Sequence, residues 1–211
     1  MKDATLKMQF DTLEQQHDAS RLGMWLFLAT EILFFGDLFM GYAVFHLLHP
    51  QAFSEAVKQT NLLCGSINAA LLLTSGLTMV LGVTAIQTGR SRACVNWVLL
   101  TTALGVAFLA VKGVEYADDI AKGLVPGRHF AIHGQPSEQI FFWLYWIMTG
   151  LHAIHLIIGI GLLAVIAWMT KRGRFSAQYA TPVELVGIYW GFVDIIWIFL
   201  FPLLYLIGRT Q

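Results

Sequence analysis

Residues 149–161, TGLHAIHLIIGIG, place two histidines inside an apolar run that decides the fold of this part of the chain. No Asp, Glu, Lys or Arg occurs from residue 140 to residue 170. A helix needs about 20 apolar residues to cross a bilayer, and a run of this length without alternation does not suit a strand. We therefore predict a membrane-spanning α-helix, in which the imidazoles of His152 and His155 require an explanation.

The composition of the whole chain indicates an integral membrane protein. Hydrophobic residues make up 57% of the sequence and charged residues 12%, whereas soluble proteins carry about 25% charged residues. The formal net charge is zero, so no nucleic-acid partner is expected. The runs long enough to span are residues 22–48, 62–86, 94–116, 140–170 and 183–207. We predict an all-α, integral membrane five-helix bundle, with residues 1–21 as a cytoplasmic N-terminal tail and residues 22–211 as a single transmembrane domain.

The distribution of lysine and arginine predicts the orientation of this multi-pass chain. Eight of these residues flank the spans on the side of the N-terminus, and four lie on the opposite side. Because cytoplasmic loops carry the excess of positive charge, we predict a cytoplasmic N-terminus and an external C-terminus. The eight are Lys2, Lys7, Arg21, Arg90, Arg92, Lys171, Arg172 and Arg174, and the four are Lys58, Lys122, Arg128 and Arg209.

Several ionisable residues lie inside the predicted spans, where each costs roughly 2.5 to 3.5 kcal/mol at the helix centre. Glu31, in the first span, is interpreted either as a carboxyl that handles protons or contacts a lipid head group, or as a protonated acid hydrogen-bonded inside the bundle. Lys112 and Glu115 lie three residues apart on one helical face. That spacing predicts a local ion pair near the outer interface.

The last span carries a stripe of acidic and small residues. Glu184, Gly187, Gly191 and Asp194 follow one another at helical spacing, so the stripe should face protein rather than lipid. Lys112 is the only cation within the predicted spans that could pair with the buried acids. We therefore predict that one polar face of the bundle, including Asp194, docks on a larger membrane subunit.

His152 and His155 lie three residues apart and share a helical face. A haem or copper site would need further ligands on facing helices at the same depth. The other candidate histidines lie at the outer end of the first span or in the outer loop, well above His152; they are His46, His49, His129 and His133. We predict that the pair forms hydrogen bonds with neighbouring helices or lipid, and that the chain contributes no catalytic, cofactor-binding or metal-binding residue.

Four motifs, taken in order along the chain, resemble those of one family, subunit III of the haem-copper oxidases. TEILFFGDLF resembles its glutamate-containing first core helix, and KGVEY its Glu-Tyr helix end. TGLHAIHLIIG resembles its Thr-Gly-X-His-X-X-His-X-X-X-Gly signature, and YWGFVDIIWIFLFPLLYL is similar to its Tyr-Trp-His-Phe-Val-Asp ending. The resemblance covers nearly the whole chain, and five helices match the short bacterial form of the family, which lacks two N-terminal helices.

The resemblance implies a non-catalytic accessory subunit III of a terminal respiratory oxidase of the cytochrome c oxidase type. Such a chain is part of an oxidoreductase complex in the bacterial cytoplasmic (inner) membrane and has no catalytic centre of its own. Its expected partners are the catalytic subunit I, the other oxidase subunits and phospholipids. Haem and copper are expected in the partner catalytic subunits. The expected role is to hold lipid in a cleft and to support the stability and proton uptake of the catalytic subunit.

The resemblance also assigns expectations to individual residues. Glu31 matches the family's buried glutamate, and Asp194 matches the aspartate of the closing motif. One departure is Gly191, which stands where the family usually has histidine. Without this imidazole, Asp194 lacks a hydrogen-bond partner. Another residue, a water or a lipid must take its place, or the backbone of the partner helix approaches Gly191 more closely. The residues expected to be buried and related to lipid or protons are Glu31, Glu115, His152, His155, Glu184 and Asp194.

Two alternatives remain open at the level of sequence. The first is the corresponding subunit of a quinol oxidase, or a subunit III-like protein associated with a nitric oxide reductase. The second, of a different class, is a free-standing lipid-binding or transport protein of the membrane.

Overall fold

A computed structural model gives the fold for residues 10, 12–127, 130, 136–177 and 179–209. Over these residues the protein is all-helical, with six α-helices and no β-strand. All of the helices except α2 are long and apolar enough to cross a membrane, which gives five candidate spans. The helices are α1 Leu13–Leu48, α2 Pro50–Gln59, α3 Leu62–Gln87, α4 Ser91–Ala121, α5 Pro136–Lys171 and α6 Thr181–Phe201, and a π-helical turn, Pro202–Leu206, continues α6.

Each of the five predicted spans corresponds to one of these long helices, and the largest difference is at the start of α1. This helix begins at Leu13, so residues 13–21 of the predicted tail are helical. The start is fixed by Thr12, whose hydroxyl oxygen accepts a hydrogen bond from the Gln15 amide at 3.1 Å. Residues 1–9 and 11 of that tail, and His129 and His133 of the predicted outer loop, lie outside the described residues.

The sequence pattern does not predict α2, a ten-residue helix that is too short to span a bilayer. It begins at Pro50, which occupies the first helical position, where a proline lacks no needed hydrogen bond. One face is buried, and the Phe53 ring packs edge-on against Phe141 of α5 with centroids 5.5 Å apart. Arg209 donates hydrogen bonds to the carbonyls of Val57, at 3.0 Å, and Thr60 at the end of the helix. Helix α2 therefore covers one end of the bundle.

Helix α1 packs on the rest of the bundle along one narrow seam. Its buried apolar residues Leu28, Phe35 and Tyr42 are spaced by seven residues, which places them on a single stripe. The outward face of the helix is exposed, with Leu33 at 69% and Leu47 at 78% of full exposure. Exposed apolar side chains of this kind suit contact with lipid or with another membrane subunit. The single seam leaves grooves on both sides of α1.

The centre of the bundle is built around one tryptophan that meets two glycines. A Cβ added at Gly105 would lie 2.7 Å from the Trp190 ring, and one added at Gly159 would lie 3.0 Å from it. The indole nitrogen of Trp190 donates a hydrogen bond to the Ser75 hydroxyl at 3.0 Å. Helices α3, α4, α5 and α6 therefore meet closely because the two positions carry no side chain.

Candidate functional site

The six residues that the sequence singles out do not form one site, although two of them are in direct contact. Glu31 of α1 and His155 of α5 form an ion pair or hydrogen bond at 3.0 Å. The others lie in separate surroundings along the bundle. Two ends can be defined: the Arg21 end, where Arg21 contacts Glu184, and the Lys112 end, where Lys112 contacts Glu115.

The contact between Glu31 and His155 has the geometry of a shared proton. The Nδ1 atom of His155 lies 2.8 Å from the Leu151 carbonyl, which can only accept, so Nδ1 carries a hydrogen. The Nε2 atom faces the Glu31 carboxyl at 3.0 Å. That contact holds one proton, either on the acid with a neutral imidazole or on an imidazolium beside a carboxylate. The predicted hydrogen bond from His155 to a neighbouring helix is confirmed.

The Glu31–His155 pair opens into a groove of about 410 Å³ between α1 and α5. Apart from the pair, the lining is largely apolar. The Tyr189 hydroxyl of α6 donates to the His155 backbone carbonyl at 3.0 Å, which ties this part of α5 to α6. The groove therefore combines an apolar wall with one proton-sharing pair. The remaining lining residues are Met24, Phe27, Ile158, Leu162 and Val186.

At the Lys112 end, a buried ionic cluster surrounds the predicted ion pair. Lys112 donates hydrogen bonds to Glu115 at 3.1 Å, Tyr145 at 3.0 Å and Tyr205 at 2.7 Å. The side chains of Lys112 and Glu115 are 2% and 0% exposed. The spacing of the two residues correctly predicts the pair, but not its complete burial. Tyr145 comes from α5 and Tyr205 from the π-helical turn after α6, and neither carries a local sequence signal. Asp119 lies on α4 itself, four residues after Glu115.

The charges in this cluster do not cancel when both acids are ionised. Tyr145 lies 3.0 Å from Glu115 and 2.9 Å from Asp119, and its single hydrogen can serve one carboxylate at a time. Tyr205 donates to Glu115 at 2.6 Å. One ammonium therefore faces two carboxyl groups. The Lys112 Nζ also lies 4.6 Å from the centre of the Tyr145 ring, a favourable cation–π distance.

His152 faces a different part of the bundle from His155. Its ring lies 5.6 Å from Phe108 of α4 and 5.3 Å from Trp197 of α6, so it is enclosed by aromatic side chains. Among the residues that the structure describes, neither of its ring nitrogens has a hydrogen-bond partner. The predicted hydrogen bond is thus found for His155 but not for His152.

At the Arg21 end, Glu184 joins three helices. One carboxylate oxygen accepts from Arg21 of α1 at 3.2 Å, and the other accepts from Gln87 of α3 at 2.8 Å. Lys112 is the only cation within the predicted spans, but Arg21, just outside the first of them, also pairs with an acid. Arg21 was assigned to the tail because the hydrophobic run begins after it, but helix α1 extends past it and brings it to α6.

Asp194 is turned inward, towards α3, and is only 6% exposed. A Cβ added at Gly76 would lie 2.5 Å from its Oδ2 atom. Gly187, on the same stripe, is covered by Val83 and Met79 of α3. The stripe faces protein as predicted, but that protein is the chain itself. The prediction that Asp194 belongs to a docking face is therefore wrong.

Among the described residues, no three or more His, Cys, Asp or Glu side chains are grouped so that they could hold a metal ion. The expected absence of haem and metal from the complete chain stays a prediction. The polar contacts that the structure does display are the hydrogen bond or ion pair between Glu31 and His155, and the buried ion pair of Lys112 with Glu115.

Comparison with known proteins gives the family. Residues 2–209 match the family model described as cytochrome c oxidase subunit III. The chain belongs to that family. The match includes all five long helices and the two histidines of α5. The alternative of a free-standing lipid-binding or transport protein is not supported.

The relatives include subunits of oxidases with different electron donors. A cytochrome c oxidase subunit 3 from Thermostichus vulcanus is 34% identical over 94% of this chain and 92% of its own length. A quinol oxidase subunit 3 from Bacillus subtilis is 28% identical over 93% of this chain and 92% of its own length. A haem-copper oxidase subunit I+III from Aeropyrum pernix is 30% identical over 90% of this chain, which corresponds to 23% of that longer protein.

Proposed function

We propose that the protein is the non-catalytic accessory subunit of a respiratory haem-copper oxidase and binds permanently to the catalytic subunit I. The observation that carries this proposal is the Aeropyrum pernix relative, whose name joins subunits I and III in one polypeptide. A chain fused to a partner has evolved beside that partner, so the unfused form is expected to occupy the same place. Haem and copper belong, in this proposal, to the catalytic subunits.

The docking surface is proposed among the exposed apolar side chains, since Asp194 of the acidic stripe is buried against α3. The outward faces of α1 and α3 expose large apolar residues, including Leu33 at 69% and Leu77 at 61%. In a membrane these faces contact either lipid or a partner helix. The cytochrome c-oxidising type is favoured over the quinol-oxidising type by the higher identity of the Thermostichus vulcanus relative.

Phospholipid binding is proposed at the groove between α1 and α6. This groove has a volume of about 520 Å³. It is lined by apolar side chains and two glycines, Gly36 and Gly191. Such a lining suits an acyl chain, because it offers almost no hydrogen-bonding group that an acyl chain would leave unpaired. The groove runs along the seam that holds α1, so a bound lipid would also stabilise the position of that helix.

Support of proton uptake is proposed for the Glu31–His155 pair. The pair shares one proton, and its side chains are 19% and 16% exposed. It therefore remains accessible enough to exchange that proton while being held by α1 and α5. The protein is placed, in the same proposal, in the bacterial cytoplasmic membrane with its N-terminus in the cytoplasm, as the distribution of lysine and arginine indicates.

The lipid proposal can be tested by filling the groove from a glycine. A Cβ added at Gly36 meets no described heavy atom within 4 Å, so Gly36→Leu should fold and place its side chain in the groove. Native mass spectrometry of the purified complex should show fewer bound phospholipids, and the oxidase should lose activity after fewer turnovers. Gly23→Leu is the matched control, because Gly23 lies on the same helix and a Cβ there is also unopposed by described atoms. Equal phospholipid counts for both variants would exclude lipid from this groove.

A further inference from the structure

The carboxyl group of Asp194 is buried without the hydrogen bonds that such a group normally has. Neither of its oxygens has a partner among the residues that the structure describes. The Ser75 hydroxyl lies beside this carboxyl, but it donates its hydrogen to the Leu72 carbonyl at 2.8 Å. Its oxygen also accepts from Trp190. Ser75 therefore has no second hydrogen to give, and the acid needs a donor from elsewhere.

A cleft of about 600 Å³ between α1, α3 and α6 reaches the surroundings of this carboxyl. Gly76, against which the Asp194 carboxyl lies, is one of its lining residues. So is Gly191, one helical turn from Asp194, where an added Cβ would meet no described atom within 4 Å. The imidazole that the family usually carries at this position would project into that open space. Its replacement by glycine keeps the cleft open towards Asp194.

The other end of the cleft is polar. It is lined by Arg21, Gln87 and Glu184, the three residues that meet at the Arg21 end. Thr84 lies on the same wall, and its hydroxyl donates to the Val80 carbonyl at 2.9 Å, which leaves its oxygen able to accept. The middle of the cleft is lined by apolar side chains, and the cleft shares Trp25, Ile188 and Gly191 with the neighbouring groove between α1 and α6. The groove differs in having no charged residue in its lining.

Water is the occupant that these groups favour. Apolar cavities stay dry, whereas buried waters occupy sites that offer several polar partners. An acyl chain in the cleft would leave the Asp194 oxygens and the exposed donors of Arg21 without hydrogen bonds, and that loss opposes its binding. Water molecules supply donors to the acid at the floor and acceptors to the guanidinium at the mouth.

We propose that the cleft between α1, α3 and α6 is a hydration site, a short water-filled inlet from the Arg21 end that supplies the hydrogen bonds of Asp194. The inlet connects a buried acid of α6 with the membrane face on which Arg21 and Glu184 lie. The ionisable side chains that line it are Arg21 and Glu184, and the Asp194 carboxyl lies against Gly76 at its inner end. The neighbouring apolar groove, in contrast, holds lipid.

Cysteine accessibility in broken membranes of the host tests the inlet, because both membrane faces are then open to reagent. The natural Cys64 and Cys94 are first replaced by alanine. Asp194→Cys should react with a small charged methanethiosulfonate reagent at least tenfold faster than Ile198→Cys, whose side chain lies on the exposed apolar face of the same helix. Adding Gly191→His to Asp194→Cys should slow the reaction at least tenfold, because the imidazole fills the inlet. Equal rates for Asp194→Cys and Ile198→Cys would overturn the proposal.

A second pair of variants leaves Asp194 in place, in case its replacement prevents assembly. Gly191→Cys should react at least tenfold faster than Gly36→Cys, although a Cβ at either glycine meets no described atom within 4 Å. The difference is expected because Gly191 borders the polar cleft as well as the apolar groove, whereas Gly36 borders the apolar groove and not the cleft. Slow reaction of both cysteines would mean that lipid or protein fills the cleft, and the hydration site would be refuted.

Discussion

Replacing Lys112 with methionine should destabilise the bundle more than any change of a lysine at its surface. The side chain is 2% exposed and donates three hydrogen bonds, to Glu115, Tyr145 and Tyr205. Methionine has a similar length and keeps most of the packing, but it removes the buried ammonium that forms the ion pair with Glu115. The variant therefore leaves buried acids unpaired.

The magnitude follows from the burial. Breaking a buried ion pair by removing one partner costs about 3 to 5 kcal/mol. For a chain of this size, each kcal/mol lowers the midpoint of thermal unfolding by about 2 to 4 °C. Lys112→Met should therefore lower the midpoint by roughly 6 to 20 °C.

Lys122→Met is the matched control on the same helix end. Lys122 pairs with Asp118 at 2.5 Å, and the side chains are 49% and 44% exposed. The hydrogen bond to that carboxylate raises the pKa of the Lys122 ammonium. Water screens such a pair, so its loss costs about 0 to 1 kcal/mol. The variant should unfold within about 4 °C of the parent.

The assay measures the midpoint of thermal unfolding of the purified complex in detergent. Unfolding is monitored through the exposure of groups that are buried in the folded protein. A double variant, Lys112→Met with Glu115→Gln, separates the electrostatic cause from lost packing. Because it removes one of the unpaired charges, it should recover about 2 to 4 °C or more. If Lys112→Met unfolds as late as Lys122→Met, or if the double variant is no more stable than the single one, the cluster does not stabilise the fold through its charges.

Two further predictions concern the packing and the topology. Gly105→Ala should lower the midpoint of thermal unfolding by several degrees, because its Cβ would lie 2.7 Å from Trp190. Gly161→Ala is the control and should leave the midpoint unchanged or raise it, because a Cβ there meets no described atom within 4 Å. Equal midpoints for the two variants would mean that the core around Trp190 adapts easily to the added methyl group. Single cysteines introduced at Arg90 and at Lys122 should be labelled from opposite faces of sealed membrane vesicles, because α4 crosses the membrane between them. Labelling of both cysteines from one face would refute the topology. Labelling of Arg90→Cys from the outer face alone would mean that the chain has the opposite orientation.

The membrane helices could be predicted from the sequence because length and apolar composition are local properties. Residues 62–86, for example, predict α3 to within one residue, since the run begins after the capping residue Asn61 and ends before a glycine turn at Gly89. The pair of Lys112 and Glu115 could also be predicted, since residues three apart share a helical face. Helix α2 could not, because its ten amphipathic residues, which begin with a proline, look like a polar loop beside runs of far greater hydropathy.

The candidate site was predictable in its residues but not in its contacts. The buried acids and histidines stand out because ionisable groups are rare in spans, yet their partners are distant in the chain. Arg21 and Glu184 are 163 residues apart, and Glu31 and His155 are 124 apart. The inward direction of Asp194 depends on how α3 packs on α6, which follows from the fit of Gly76 against the carboxyl. No local period in the sequence carries that information.

The central proposal, permanent assembly with a haem- and copper-containing catalytic subunit, is tested most directly by purification through an affinity tag on this chain. Membranes of the source organism are solubilised in a mild detergent, and the eluate is examined by reduced-minus-oxidised absorbance spectra and by copper analysis. We expect a haem-copper oxidase to elute with this chain in a fixed ratio, and to be lost when the chain is untagged. Recovery of the tagged chain, folded and at full yield but without any haem protein, would contradict its assignment as an oxidase subunit.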